Sequence, residues 1–570
     1  MESRISLTNK MNKNVLSSLL ALETSLFLTV FVFAALFKTP VYYAHKIIII
    51  CSLVTLFWLG LTFNSVRISK EKVNPLYYFS FFVFLIVVLY IIKSVWFRSY
   101  LTITPEYSFF NGLSKSDTTY HVTLCEAIKN FGYPAILPSG LTLHRYHCLS
   151  HILLAIISKI FRLPCLISYN FLYPIVFFPL FVYLLFQAIG AVRVFLGKAE
   201  DFSFLDLVFS VFIIIGFLPV RYSTAISIWW HDIFISESYC VSLIFILLYI
   251  VVADKIKNMK HGIQINYYVI TPLFLILVTA SKISTGVIFF IALAWIFIRI
   301  KGIKVSTALF AALFFGLLLL SLSFFIRDNE KNFTAMGVSW FHFIKNYVPH
   351  KYQISHVFFI LFPSLILFLL SKGSDSYRDY SKTKISILAE TAVIISCCSL
   401  LPGMVFKIVG GSAAYFFMPA MFISLLFLLC SDELQGRFFS NRKEIKILIF
   451  LLVFVLYGES FIKVNSPKHI IQQFQVGRQG TKAVVNSSFY ETLNSINHET
   501  EGKKESYCLL ISKNCRIFEL YGPGYDGVVA LTAYLGMPVV GVADKVDSVQ
   551  IEKIKKHIIV LEKDTYKIIN

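Results

Sequence analysis

The chain has 570 residues, of which 57% are hydrophobic and 15% charged, with a mean hydropathy of +0.72. Soluble domains carry about 25% charged residues, and the apolar runs here are long enough to cross about 30 Å of hydrocarbon. A soluble protein is therefore excluded, and the length of the apolar runs excludes a transmembrane β-barrel.

The formal net charge of +20 raises the question of nucleic-acid binding. The basic residues, however, lie in short loops between apolar runs, which is typical of the cytoplasmic loops of membrane proteins. We therefore expect membrane lipids, and no nucleic acid, as partners. The first apolar run lacks a small-residue cleavage site and is typical of a signal anchor rather than of a cleaved signal peptide.

Hydropathy predicts about thirteen transmembrane helices. Their cores are 15–37, 46–65, 76–96, 166–190, 203–219, 239–253, 267–281, 285–300, 304–326, 356–371, 385–406, 412–430 and 446–463. Arg4, Lys10 and Lys13 place the N-terminus inside. Every second loop is again basic, at 67–72, 193–198, 255–260, 299–304, 372–384 and 437–446. The alternation predicts an N-in/C-out topology.

Three further loops and the C-terminal tail then face outward. The loops are about 98–165, 220–238 and 327–355. The tail alternates predicted strands at 507–512, 538–542 and 558–561 with predicted helices at 528–535 and 546–557. The predicted fold class is an all-α polytopic membrane protein with a small C-terminal α/β domain, divided into a transmembrane domain 1–463 and an extracytoplasmic domain 464–570.

The first outer loop contains the segment SKSDTTYHVTLCEAIKNFG, which predicts an amphipathic helix ending at Gly132. Asp117 and His121 are four residues apart in it and share one face. An acidic residue between apolar spans is expensive near a bilayer and is a functional candidate. A second helix follows and carries His144, His147 and His151 near one face; it is expected to lie along the membrane surface.

This layout resembles the GT-C superfamily of integral-membrane glycosyltransferases. The resemblance lies in a short acidic motif in the first large outer loop, a surface helix, the pair Tyr146-His147 and the soluble tail. Members take a sugar from a polyprenyl-phosphate carrier at the outer face, and an acidic residue of that loop acts as general base. The resemblance implies this role for Asp117. The stretch TASKISTG is similar to a lysine-containing turn of some members and implies that Lys282 contacts the carrier phosphate.

The chemistry of sugar transfer requires the same kinds of groups. Sugar transfer needs a base for the acceptor proton and cations for the leaving phosphate. Asp117 is the candidate base, and His121 shares its face. The remaining candidates for substrate or phosphate binding are Arg145, Tyr146, His147, Lys282, Arg327, His231, Asp232 and Glu237. No metal ligand is assigned, and a requirement for a divalent cation is left open.

Each candidate also has an ordinary structural explanation. Ser-Asp-Thr is a common helix cap, so Asp117 could serve only as an N-cap. Lys282 could extend from a helix end to the lipid headgroups. The three histidines have the spacing of a zinc site, but interfacial histidines are more often polar anchors. Cys508 and Cys515 would form a disulfide only in an oxidising compartment.

The leading hypothesis is a glycosyltransferase of a bacterial inner or plasma membrane, with a polyprenyl-phosphate-linked sugar as donor and a glycan or lipid as acceptor. A surface-polysaccharide polymerase or ligase is the alternative within this class, and it would rely on outer-loop arginines such as Arg145 and Arg327. A transporter or flippase of lipid-linked glycans is the alternative of another class. It predicts paired ionisable residues near mid-membrane.

Overall fold

A computed structural model describes the chain in discontinuous stretches. They are residues 17–18, 20–22, 24–29, 32, 43–66, 109–110, 116–139, 142–143, 148–197, 236–257, 259, 261–302, 315–316, 339–347, 353–372, 384–405, 414–430, 487–521, 525–543 and 557–569. This described part is mostly helical and contains two small sheets.

The elements are numbered in chain order. The helices are α1 (Ala44–Val66), α2 (Ser116–Phe131), α3 (Leu149–Ile160), α4 (Cys165–Leu172), α5 (Phe178–Phe195), α6 (Glu237–Ile256), α7 (Gly262–Ile265), α8 (Thr271–Ser281), α9 (Ile283–Lys301), α10 (His342–Tyr347), α11 (Gln353–Lys372), α12 (Lys384–Val405), α13 (Ala414–Leu429), α14 (Ser488–Glu499), α15 (Arg516–Tyr521) and α16 (Tyr525–Leu535). The strands are β1 (Ala135–Ile136), β2 (Thr142–Leu143), β3 (Tyr507–Ser512), β4 (Val539–Ala543), β5 (His557–Leu561) and β6 (Tyr566–Ile569). Short π-turns at Tyr173–Phe177 and Asn266–Ile270 join α4 to α5 and α7 to α8, and 3₁₀ turns lie at Leu137–Ser139 and Lys504–Ser506.

Four helices of the described residues are long and apolar enough to cross a membrane. They are Cys165–Phe195, Glu237–Ile256, Ile283–Ile300 and Lys384–Val405. Shorter apolar helices include His45–Leu61, Tyr268–Ser281, Ile360–Leu369 and Tyr415–Leu429. These helices are compatible with a membrane protein. The total of about thirteen spans and the N-in/C-out topology stay predictions.

Many of the predicted spans coincide with described helices. This holds for 46–65, 166–190, 239–253, 267–281, 285–300, 356–371, 385–406 and 412–430. The predicted spans 76–96, 203–219 and 446–463, and most of 15–37 and 304–326, lie outside the described residues. The agreement reflects the fact that a backbone in lipid must satisfy its own hydrogen bonds, so a long apolar run has one structural solution.

The chain divides into two compact units. The first is drawn from Met1–Ala21, Phe57–Tyr90 and Phe177–Ser460, and the second from Leu22–Leu56, Ile91–Val176 and Phe461–Asn570. The predicted division at residues 463 and 464 stays a prediction, but the second unit unites the tail with the first predicted outer loop.

In the first unit, apolar helices pack on one another: α5 on α6, α8 on α6 and α9, and α12 on α9, α11 and α13. An ion pair joins two helices of this bundle. Arg299 of α9 donates from Nε to Glu390 Oε2 of α12 over 2.6 Å, and from Nη2 to Oε1 over 3.2 Å. Trp295 Nε1 donates to the same carboxylate. A bidentate pair of this kind offsets the removal of both charges from water.

The second unit contains the four-stranded sheet of the tail, in the order β4-β3-β5-β6. Strand β3 is parallel to β4 and β5, and β6 returns antiparallel to β5. The predicted strand 507–512 is confirmed, and β4, β5 and α16 lie within a few residues of their predicted positions. Strand β6 was not predicted. The predicted helix 546–557 lies almost wholly outside the described residues. Cys508 and Cys515 are buried free thiols.

The first predicted outer loop packs directly on this tail. Helix α2 packs on α16. Phe109 is fully buried and stacks on Tyr534 at a centroid distance of 4.8 Å, and Tyr521 donates its hydroxyl to Phe109 O over 2.7 Å. Phe110 meets Tyr490 edge-to-face at 5.2 Å. Two aromatic residues of the loop therefore complete the hydrophobic core of the tail.

The two segments also approach each other closely at Gly536, just after α16. Its φ of +68° is a left-handed conformation that glycine adopts without strain. A Cβ there would lie 2.7 Å from Asn130 Nδ2 and 3.0 Å from Glu126 Oε2. Asn130 Nδ2 donates to Gly536 O and to Glu126 Oε2, each over 3.1 Å. Any side chain at position 536 must therefore displace a hydrogen-bonded amide.

We expect Gly536→Ala to destabilise the protein more than Gly502→Ala does. Both glycines have a positive φ, but a Cβ at Gly502 would meet nothing within 4 Å. The backbone strain is therefore similar, and the difference isolates the displacement of Asn130, which we place at about 1–3 kcal/mol. Thermal unfolding of the full chain in detergent measures it, and equal losses for both variants would contradict the packing.

Candidate functional site

Helix α2 carries the two residues for which a catalytic role is expected. It begins at Ser116 and ends at Phe131, and Gly132 with φ of +82° terminates it, as predicted from the sequence. Asp117 therefore lies in the first turn and His121 one turn later. The Asp117 side chain lies outside the described part of the structure. Asp117 is the second residue of α2, so it lies inside the first turn rather than at the N-cap, in a position that favours an acidic residue through the helix dipole and is compatible with the proposed base.

The half-buried His121 is one of a pair of imidazoles. Its Nδ1 lies 2.8 Å from Nε2 of His151, which is completely buried on α3. The two rings are stacked at 5.0 Å, and the ring of Tyr169 on α4 is nearly parallel to that of His121 at 6.5 Å. Because one nitrogen of such a bond must accept, the pair carries at most one positive charge.

The pair forms the middle of a short polar chain. On the far side of His151, Nδ1 lies 3.4 Å from Ser150 Oγ. Imidazoles joined in this way can pass a proton from one ring nitrogen to the next. His144 and His147, the other members of the predicted zinc spacing, lie outside the described residues, and α3 begins only at Leu149. His151 therefore has an observed partner in His121.

Lys282 lies in the first unit at a break of one residue between α8 and α9. Its side chain is buried, and its Nζ lies 3.7 Å from the centroid of the Tyr415 ring. The two helices can approach here because of Gly286, where a Cβ would lie 2.8 Å from Thr279 Cα. A buried ammonium over an aromatic face is stabilised by a cation–π interaction and is suited to meeting an anion.

Glu237, also in the first unit, lies in the first turn of α6 behind the N-cap Ser236 and is buried. A carboxylate at this position is stabilised by the helix dipole. The other predicted residues are not described by the structure. They are Arg145, Tyr146, His147, His231, Asp232 and Arg327.

A charged cluster at the C-terminal end of α2 was not predicted. Its centre is the buried carboxylate of Glu126, which accepts a hydrogen bond of 2.6 Å from the backbone N–H of Cys165. Lys129 lies 3.4 Å from Glu126 Oε2 and also donates to Leu163 O. Lys504 of the tail donates to Leu535 O over 2.6 Å and to Asn497 Oδ1 over 3.0 Å.

The protonation states of this cluster follow from burial and mutual attraction. Burial raises the pKa of the Glu126 carboxyl, but Lys129, Lys504 and the Cys165 N–H outweigh burial and hold that pKa below its ordinary value. For Lys129, the attraction of Glu126 outweighs burial and raises the pKa. For Lys504, burial dominates and lowers the pKa to about 8, despite the nearby Glu126. Part of the Lys504 side chain is exposed, while its ammonium is held by backbone and amide oxygens.

The cluster forms the floor of a cleft of about 1510 Å³ within the second unit. The lining residues are Tyr43, Glu126, Lys129, Asn130, Lys159, Arg162, Leu163, Pro164, Asn494, Ser495, Asn497, His498, Glu499, Glu501, Gly502, Lys504, Glu505, Tyr534 and Tyr566. Its walls thus come from the predicted outer loop and from the tail. No local pattern could have indicated it, because the contributing segments are far apart in the sequence.

Comparisons with protein-family models, with curated proteins and with solved structures find no match. The residues themselves therefore carry the functional argument.

We expect Glu126→Gln to destabilise the full chain by about 2–4 kcal/mol, because it leaves half-buried Lys129 without its counter-ion. The matched control is Glu505→Gln, an exposed acid of the same cleft, which should change stability by less than about 0.5 kcal/mol. Thermal unfolding in detergent at pH 7 measures both, and similar melting temperatures for the two variants would exclude a structural role for Glu126.

The same pair of variants predicts a dependence on pH. The Glu126 carboxyl has a lower pKa in the folded than in the unfolded chain, so its contribution is complete above its ordinary pKa of 4.5. It is lost as the pH falls through the folded pKa. The stability difference between wild type and Glu126→Gln should therefore shrink on acidification below about pH 4.5, whereas a difference independent of pH would contradict an ionised Glu126.

Proposed function

We propose that this chain is a membrane glycosyltransferase that moves a sugar from a polyprenyl-phosphate carrier to an acceptor at the outer face of the membrane. The observation that supports it best is the start of α2. Asp117 precedes by one turn a histidine that is hydrogen-bonded to the buried His151. An acid at a helix start, next to connected imidazoles, is suited to taking up a proton and passing it on.

The proposed reaction needs one base for the acceptor proton and one cation for the leaving phosphate. The acceptor hydroxyl loses its proton to the Asp117 carboxylate while its oxygen forms a bond to the anomeric carbon of the sugar. The bond between that carbon and the phosphate oxygen breaks, and the carrier phosphate leaves with the electron pair. A cation must stabilise the negative charge that develops on this phosphate, and the family resemblance implies Lys282 for this role.

The helix contacts of the first unit support the proposed topology. Lys282 and Tyr415, which are in contact, belong to helix ends that the basic-loop pattern places outside. The contact between Lys384 and the Phe195 ring joins two ends that the pattern places inside. On this proposal the protein is an integral protein of a bacterial inner or plasma membrane with an extracytoplasmic tail.

A transporter of lipid-linked glycans is the second candidate. The observation in its favour is the Arg299–Glu390 pair, because ionisable pairs between apolar helices often mark transport pathways. Arg299, however, lies within one turn of the C-terminal end of α9. Glu390 lies in the half of α12 that begins at Lys384. This position near the helix ends favours a structural ion pair.

Asp117→Asn should lower the rate of sugar transfer by a factor of at least about 100 while leaving the protein folded. Asparagine has nearly the same size and is also tolerated at a helix start, so a purely structural role of Asp117 predicts no comparable loss of transfer. The measurement is transfer from polyprenyl-phosphate sugars extracted from membranes, with the melting temperature recorded in parallel. Retained transfer at an unchanged melting temperature would exclude Asp117 as the base. The transporter would then be the better-supported function.

Lys282→Met should lower kcat/KM for the lipid-linked donor by at least about tenfold, because it removes a charge-assisted contact to phosphate. Lys384→Met is the matched control, since Lys384 also lies over an aromatic ring but at a helix end assigned to the inner face. Equal effects of the two substitutions would indicate that Lys282 serves only to hold the helices together.

A further inference from the structure

Helix α3 buries several polar side chains and exposes two large apolar ones, which is the reverse of the arrangement in a helix on the surface of a soluble protein. Its polar residues Ser150, His151 and Ser158 are completely buried. Ile156 and Ile160, by contrast, are 49% and 69% exposed. Water would make this arrangement unfavourable, whereas a lipid surface would accommodate the exposed isoleucines.

The helix ends with an arginine where a glycine is expected. Leu163 N–H donates to Ser158 O over 2.8 Å, and Arg162 N–H donates to Lys159 O over 3.2 Å, which is the Schellman pattern of a helix end. Arg162 occupies the left-handed position of this motif, with φ of +49°. Glycine adopts this conformation without strain and arginine does not. A strained residue of this kind suggests that its side chain is needed there.

Two cations are thereby presented together at the rim of the cleft. Lys159 and Arg162 are both exposed and both line it. Among the described residues, neither side chain has a hydrogen-bond or ion-pair partner. The nearby Lys46 donates to Arg162 O over 2.7 Å and fixes the backbone of the turn. Within the described part of the chain, Lys159 and Arg162 thus have no ion-paired carboxylate, although Glu499, Glu501 and Glu505 also line the cleft.

The rim lies where the chain meets apolar helices. Tyr43, which lines the cleft, immediately precedes α1, and Pro164 immediately precedes α4. Helix α4 begins the apolar stretch Cys165–Phe195, which is long enough to cross a membrane. The tail supplies other lining residues of the cleft, among them the amides of Asn494 and Asn497 and the carboxylates of Glu499, Glu501 and Glu505.

We propose that this rim binds the headgroup of an anionic phospholipid, with phosphatidylglycerol as the best-fitting chemistry. The acyl chains lie along Ile156 and Ile160, and the phosphate is held between Lys159 and Arg162. The glycerol hydroxyls, which are hydrogen-bond donors, face the amide and carboxylate oxygens that the tail contributes to the cleft. This site differs from the proposed catalytic one, because the twelve residues from Asp117 to Lys129 span roughly 18 Å of helix. The inference does not depend on the proposed sugar transfer.

Arg162→Gly tests the proposal, because it removes the guanidinium and at the same time places the preferred residue in the left-handed position. Its melting temperature should equal or exceed that of the wild type. The probe is radiolabelled phosphatidylglycerol, titrated into the full chain in dodecyl maltoside micelles. Arg162→Gly and Lys159→Gln should each weaken binding about fivefold. Lys567→Gln, which removes an exposed lysine of the same unit outside the cleft, should leave it unchanged.

Two comparisons complete the experiment. The wild type should prefer phosphatidylglycerol over phosphatidylcholine by about tenfold, since only the former carries a net negative charge. Soluble glycerol 3-phosphate at the same concentration should not compete, because it lacks the acyl chains. Equal binding of the two lipids, unchanged binding by Arg162→Gly, or effective competition by glycerol 3-phosphate would each overturn the proposal, the last by showing a site for free phosphate esters.

Discussion

The buried carboxylate of Glu126 is the interaction on which the second unit depends. It accepts the backbone N–H of Cys165 at the start of α4 and holds Lys129 of its own helix. Through Asn130, it is linked to Gly536 of the tail. A buried carboxylate is tolerated only where hydrogen bonds and opposite charges replace its hydration, and here these come from three segments. Because the partners are so distant in sequence, the carboxylate couples the orientation of α2 to the folding of the tail.

This anchoring gives the two ends of α2 different environments. The C-terminal end is fixed against the tail by charge and by the approach at Gly536. The N-terminal end carries Asp117, followed by His121 and its partner on α3. A catalytic group must be held within a fraction of an ångström of its working position, and a helix anchored at its far end provides such support. On this view the tail stabilises the proposed site at a distance rather than contributing to it.

Sequence reasoning succeeded where a local pattern has one structural outcome. Long apolar runs gave helices, the Gly132 stop ended α2, and the strand 507–512 was correct in both limits. It failed where the determinant was a long-range contact. Glu126 and Lys129, three residues apart, look like an exposed surface pair, and Lys504 lies in a polar stretch typical of a loop. Only the fold brings these residues together and excludes water from the Glu126 carboxylate. For the same reason, the packing of Phe109 and Phe110 against the tail was not predicted.

Arg162 combines a strained backbone conformation with an unusual set of exposed neighbours. A helix end in the Schellman conformation selects glycine on backbone grounds alone. An arginine there, next to exposed isoleucines and an exposed lysine, is accounted for by the proposed lipid site, which supplies both an apolar phase and negative charge. A bilayer containing anionic lipid supplies the two at once, whereas water supplies neither. The sequence of α3, with its polar residues turned inward to His121 and its apolar residues turned outward, is therefore consistent with a helix that has protein on one side and lipid on the other.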